Sequence, residues 1–218
     1  MRLIISMGET VLEESTEVSS EVTSEEQEKE NAKKLRMDLY DWMQCFVTAL
    51  ICGILIFVFA GRTIGVDGRS MEKTLKDRDR VVMRSLFYTP KNGDIIVFQS
   101  TSTHRFKNVP LVKRVIATQG QTVDIDFGTS EVFVDGVKID EPYVNSLTVN
   151  KDNFQGPVTV KEGHVFVMGD NRASSTDSRH NDVGQVDTRY ILGRVLFILI
   201  PGESNGEPRD WSRFGVVG

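Results

Sequence analysis

The sequence predicts a mainly β fold: a curled, barrel-like antiparallel sheet preceded by one N-terminal transmembrane helix. Three observations lead there. One long apolar run, residues 42–60, contains no charged residue. Beyond Arg62 the chain breaks into short β-like runs divided by turn signals, and no stretch after Leu75 sustains a helical period. Among those runs, Val132-Phe133-Val134-Asp135-Gly136-Val137-Lys138-Ile139 reads as a hairpin, because Asp-Gly at its tip suits a type I′ turn.

A chain of 218 residues with 39% hydrophobic content has room for one ordinary domain plus appendages. The net charge of -5 is concentrated near the start, where nine glutamates fall between Glu9 and Glu30 among Ser, Thr and Gln with no aromatic residue. Such a segment buries too little apolar surface to offset its ordering entropy, so residues 1–38 are expected to be an acidic, disordered tail. No basic stripe suggests nucleic acid as a partner.

The apolar run spans roughly nineteen residues, enough to cross a bilayer as one helix, and the anchor is assigned to residues 39–61. A buried soluble helix is disfavoured because nothing polar marks a solvent face. A cleavable signal peptide has Val58-Phe59-Ala60 in its favour. Against it stand the length of the apolar region and of the segment before it. Cys45 and Cys52 both fall inside the run, so disulfides do not hold the remaining domain together. Basic residues flank the run on both sides and leave its orientation open.

After the anchor, Arg80-Val81-Val82-Met83-Arg84 is a candidate strand. The turn Lys91-Asn92-Gly93-Asp94 leads into Ile95-Ile96-Val97-Phe98. The run Leu111-Val112-Lys113-Arg114-Val115-Ile116 follows, then the hairpin, Val165-Phe166-Val167-Met168 and residues 191–200. Neither an internal repeat nor a second globular domain is evident in residues 62–218.

Three stretches could carry chemistry. Ser70, in Gly68-Arg69-Ser70-Met71-Glu72-Lys73-Thr74-Leu75, sits at a Gly-preceded turn just outside the anchor. Taken alone it reads first as turn chemistry, since an unactivated hydroxyl is a poor nucleophile. Lys113 and Arg114 point to opposite faces of a strand, so one of them faces whatever the sheet buries. A buried lysine is pushed toward its neutral form and could take a proton from a serine, whereas a lysine on an edge strand would merely block pairing. The third stretch runs from Gly169 through Asp170, Asn171, Arg172, Ser175, Asp177 and Ser178 to Arg179. It is a loop dense in hydrogen-bonding groups that either satisfies its own backbone or surrounds a lysine.

Together, in this order behind an anchor, the three stretches resemble the bacterial type I signal peptidases, membrane-anchored Ser/Lys endopeptidases. Ser70-Met71-Glu72-Lys73-Thr74-Leu75 looks like the family's serine box and Lys113-Arg114-Val115 like its lysine strand. Gly169 to Arg179 looks like its G-D-N-R-x-x-S-x-D-S-R box, and the likeness covers residues 42–201. The resemblance implies Ser70 as nucleophile and Lys113 as general base. Ser175 would hydrogen-bond the lysine amine, with Asp177, Arg179 and Asp170 bracing the loop. It implies no metal or organic cofactor, a preprotein signal peptide as substrate, and a lipid bilayer as surroundings. The tail would be cytoplasmic and residues 62–218 an extracytoplasmic β-rich peptidase domain. Val66, Met71 and Val112 are the candidates for lining the substrate pocket, and Trp211 and Phe214 for resting on lipid. His104, His164 and His180 are taken as surface or loop residues.

Two departures stand out. Lys73 occupies the family's usual proline position, and Gly68 stands where some members carry a serine that adds to the oxyanion hole. The first creates S-x-x-K, the serine motif of penicillin-recognising enzymes, in which Lys73 would be the base, but no K-T-G or S-D-N triplet accompanies it. A self-cleaving Ser/Lys repressor-type protease shares the dyad but lacks an anchor. A non-catalytic, membrane-anchored β-domain that binds peptides is the remaining alternative.

Overall fold

A computed structural model describes residues 29–55, 62–100, 109–203 and 208–217. The expected tail up to residue 28, the Val58-Phe59-Ala60 triplet and His104 lie outside the described residues. The chain divides into two compact units, residues 1–55 and 56–218.

In the first unit, helix α1 (Lys29–Leu55) runs for 27 residues, about 40 Å at the usual rise, and carries its apolar side chains exposed. Among the described residues it is the one helix long and apolar enough to cross a membrane. Cys45 and Cys52 on it are free and exposed.

In the second unit, β1 (Arg62–Gly65), β2 (Arg80–Arg84), β3 (Ile95–Gln99), β4 (Pro110–Thr118), β9 (His164–Met168), β10 (Val186–Asp187), β11 (Ile191–Ile200) and β12 (Gly215–Val216) form one antiparallel sheet. Its order is β1-β2-β11-β3-β4-β9-β10, with β12 added to β11. A second sheet, ordered β7-β6-β5-β8, contains β5 (Thr122–Asp126), β6 (Glu131–Val134), β7 (Val137–Lys138) and β8 (Val158–Thr159). The expected hairpin is β6–β7, turning through Asp135 and Gly136, both at positive φ.

The barrel-like curl expected from the sequence is not found. Among the described residues both sheets are open: β1 and β10 end the larger one without pairing to each other, and closure would need that last ladder. The burial pattern agrees. All four residues Ile95, Ile96, Val97 and Phe98 are buried, with Ile95 and Val97 in one apolar cluster and Ile96 and Phe98 in another. A strand packed on both faces belongs to a covered sheet, and its continuous apolar run carries no sign of closure. A third cluster joins the two sheets, as Ile116, Phe166 and Met168 meet Val123, Val132 and Val134.

Candidate active site

The site is built where β4 passes the turn of residues 70–75 that follows β1. Gly68, at φ +94°, adopts a backbone conformation that favours glycine, and its N–H donates to Asp77 Oδ1 at 2.8 Å. The N–H groups of Thr74 and Leu75 both donate to the Met71 carbonyl, at 2.9 and 2.8 Å, which closes the turn. Met71 and Leu75 drop into the apolar cluster beneath it. Among the described residues the Ser70 N–H has no acceptor.

Lys113 lies on β4 opposite Ile96 and is 3% exposed. Its Nζ is 2.8 Å from Ser70 Oγ and 3.1 Å from the Val112 carbonyl. Burial pushes its ammonium down from the ordinary 10.5 to about 8, while the carboxylates of Asp177 and Asp170 pull it back up. At that separation the shared proton can sit on either atom: a charged amine donates to Oγ, and a neutral amine accepts the hydroxyl proton.

The loop after β9 supplies the surroundings. Asp177 takes Arg179 Nε and Nη2, both at 2.9 Å, and the Gly169 N–H at 3.0 Å, with Asp177 and Arg179 fully buried. Asp170 takes Arg114 Nε at 2.9 Å and Nη2 at 2.7 Å, and the Thr74 hydroxyl at 2.5 Å. That triad joins one residue from each of the three stretches singled out by sequence. Gly169 is required by close approach: a Cβ there would overlap the Ser175 side chain and stand 2.6 Å from the Ser70 carbonyl oxygen.

One expected contact is absent. Ser175 Oγ, though buried, has no hydrogen-bond partner, and the Lys113 amine is directed to Ser70 and Val112 instead. Of the pocket candidates, Val66 and Met71 are buried in the core cluster and Val112 packs over it, half-buried. Lys73 Nζ donates to the Pro142 carbonyl at 3.0 Å, and no hydrogen bond joins it to Ser70 among the described residues. Among the described residues, no group of three His, Cys, Asp or Glu side chains is placed to hold a metal ion.

Several contacts escape a reading of the sequence. Asn171 donates its N–H to the Ser70 carbonyl at 3.0 Å and its Nδ2 to the Arg69 carbonyl at 3.2 Å, holding the serine backbone from both sides. Its place beside Asp170 was the available signal. Tyr143 lays its ring 3.9 Å from the Arg114 guanidinium, and Arg172 is ion-paired to Glu141 and bonded to Thr148 at 2.7 Å. No local pattern announces these contacts, because the partners lie about thirty residues apart.

Comparison with known proteins gives the family of the chain. Residues 39–200 match the family described as "Signal peptidase, peptidase S26". A signal peptidase I of Bacillus licheniformis is 35% identical over 183 residues, covering 79% of this chain and 95% of the relative. Signal peptidase I S of Bacillus subtilis (strain 168) is 34% identical over 183 residues, covering 79% and 94%. A signal peptidase I from Enterococcus faecalis V583, known from its crystal structure, is 30% identical, with 49% of this chain and 97% of that one covered and a TM-score of 0.40.

Proposed function

The chain belongs to the signal peptidase family, peptidase S26, and we propose that within this single-pass, membrane-anchored serine endopeptidase Ser70 is the nucleophile and Lys113 its general base. The observation that carries this reading is the 2.8 Å approach of the buried Lys113 amine to Ser70 Oγ. The neutral amine takes the Ser70 proton as Oγ forms a bond to the scissile carbonyl carbon. The carbonyl oxygen becomes an oxyanion that accepts from the Ser70 N–H. Collapse of that intermediate breaks the C–N bond, and the Lys113 ammonium returns the proton to the leaving amine. Lys113 then deprotonates a water that hydrolyses the ester. Once Ser70 Oγ is acylated, the unpartnered Ser175 hydroxyl is the candidate to take over the amine's hydrogen bond. Asp170, Asp177 and Arg179 brace the loop around it.

The substrate is the signal peptide of an exported preprotein, held extended along Val66 to Arg69 and Leu111 to Lys113, with Val112 bordering a pocket for a small side chain. Residues 62–218 work outside the cytoplasm and residues 1–38 remain within it. Incubating the full-length protein in detergent with a preprotein tests the reading. Cleavage after a small residue that disappears in Ser70→Ala supports it, whereas cleavage that survives Ser70→Ala, or none by either protein, contradicts it.

A further inference from the structure

The end of the chain, beyond the family match, sends a side chain to the back of the serine turn. Asp79, fully buried, accepts from the N–H groups of Lys76 and Gly202, both at 2.7 Å. Arg213 completes its shell, with Nη1 at 2.9 Å from Oδ1 and Nη2 at 2.7 Å from Oδ2, and its side chain is only 14% exposed. The same Nη2 donates to the Thr74 carbonyl at 3.2 Å. Thr74 is therefore gripped twice, its hydroxyl by Asp170 and its carbonyl by Arg213.

The segment that delivers Arg213 is itself fixed. The short helical turn Trp211–Arg213 is capped by Asp210, which accepts from the Ser212 N–H. The Phe214 ring meets Phe197 edge-on at 6.3 Å, β12 pairs with β11, and Val217 packs against the cluster that holds Met71 and Leu75. These contacts tie the segment that carries Arg213 to β11 and to the cluster beneath the serine turn.

We propose that Arg213 is a positioning residue for Ser70: through Thr74 and Asp79 it fixes the far end of the turn whose near end presents Ser70 Oγ to Lys113. The inference rests on the Ser70/Lys113 reading above. Because Thr74 and Leu75 both donate to the Met71 carbonyl, a shift of Thr74 passes directly to Met71 and its neighbour Ser70. A displacement on the order of 1 Å at a reacting group costs about 10²-fold in rate.

The test uses full-length protein in detergent and a preprotein substrate. An end-point fluorophosphonate label counts competent serines, so that kcat is expressed per labelled site. Arg213→Met is expected to lower kcat per site about 10²-fold with KM little changed, and Arg213→Lys, which keeps the charge, to recover part of it. A role confined to stability would reduce the number of labelled sites and leave kcat per site intact. Since Arg213→Met leaves Asp79 buried without its cation, Asp79→Asn/Arg213→Met removes both charges while the amide oxygen still offers an acceptor to the backbone N–H groups of Lys76 and Gly202. That double variant is expected to label fully and still turn over slowly, because the Thr74 carbonyl stays unheld. Wild-type kcat per site in either the single Arg213→Met variant or the double variant overturns the proposal. A wild type that neither labels nor cleaves overturns the dyad reading beneath it, a result distinct from the first.

Discussion

Two cations stand side by side on β4, each 3% exposed, and the chain treats them in opposite ways. Arg114 faces an arrangement that answers its charge: Asp170 on two nitrogens, the Gly93 carbonyl on a third at 2.9 Å, and the Tyr143 ring across its plane. Lys113 faces a hydroxyl and a carbonyl, with no carboxylate in hydrogen-bond reach among the described residues. A paired guanidinium stays charged and ties strand, serine turn and loop into one unit. An unpaired amine in the same depth of protein is driven toward its neutral, proton-accepting form. Strand alternation separates the two environments by a single residue, so the rigid face can hold the reactive face in register.

The contrast can be broken at either residue. Removing the amine with Lys113→Ala should lower kcat/KM by about 10³-fold or more, the order expected for an essential general base, read from preprotein cleavage at pH 9. On the other face, Asp170→Ala leaves the Arg114 charge buried without its counter-ion and should destabilise by about 3–5 kcal/mol, read from a urea midpoint of the full-length protein. Lys113→Met should stabilise by about 3 kcal/mol at pH 7, because the folded chain holds its proton less tightly than the unfolded one. The sign follows from occupancy. Below pH 8 both states are protonated and the burial cost is present in full; between about 8 and 10.5 the folded state loses its proton first and the cost fades. The gain from Lys113→Met should therefore shrink over that window. The smallest effect is Tyr143→Leu, which removes the ring face from Arg114 and the hydroxyl that donates to Glu141 Oε1 at 3.1 Å, and should cost about 0.5–2 kcal/mol with little change in kcat; Tyr143→Phe, which keeps the ring, separates the two.

How much of this was legible depended on whether the signal was local. The strands at Arg80–Arg84 and Ile95–Gln99 and the Asp135-Gly136 hairpin announce themselves within a few residues, whereas Ser70, Lys113 and the Gly169–Arg179 box stand out only when the three are taken together in order. Sheet closure is a pairing between strands far apart in sequence, and composition is silent on whether β1 meets β10, which is why the barrel expectation failed. The same distance hides Arg213, 134 residues from Asp79. Ser175 is a different case: its place in the box was legible, but the direction of its hydroxyl depends on which acceptor the lysine chooses.

The central claim is that burial, unopposed by a paired carboxylate, lowers the pH at which the Lys113 amine becomes available as a base from the ordinary lysine range to about 8. A ¹³C NMR titration of lysine Cε in the full-length protein, with the Lys113 signal assigned by its loss in Lys113→Arg, reads this directly. The account predicts a midpoint at about 8. A midpoint at the ordinary lysine value, with the amine fully charged at pH 9, would contradict it.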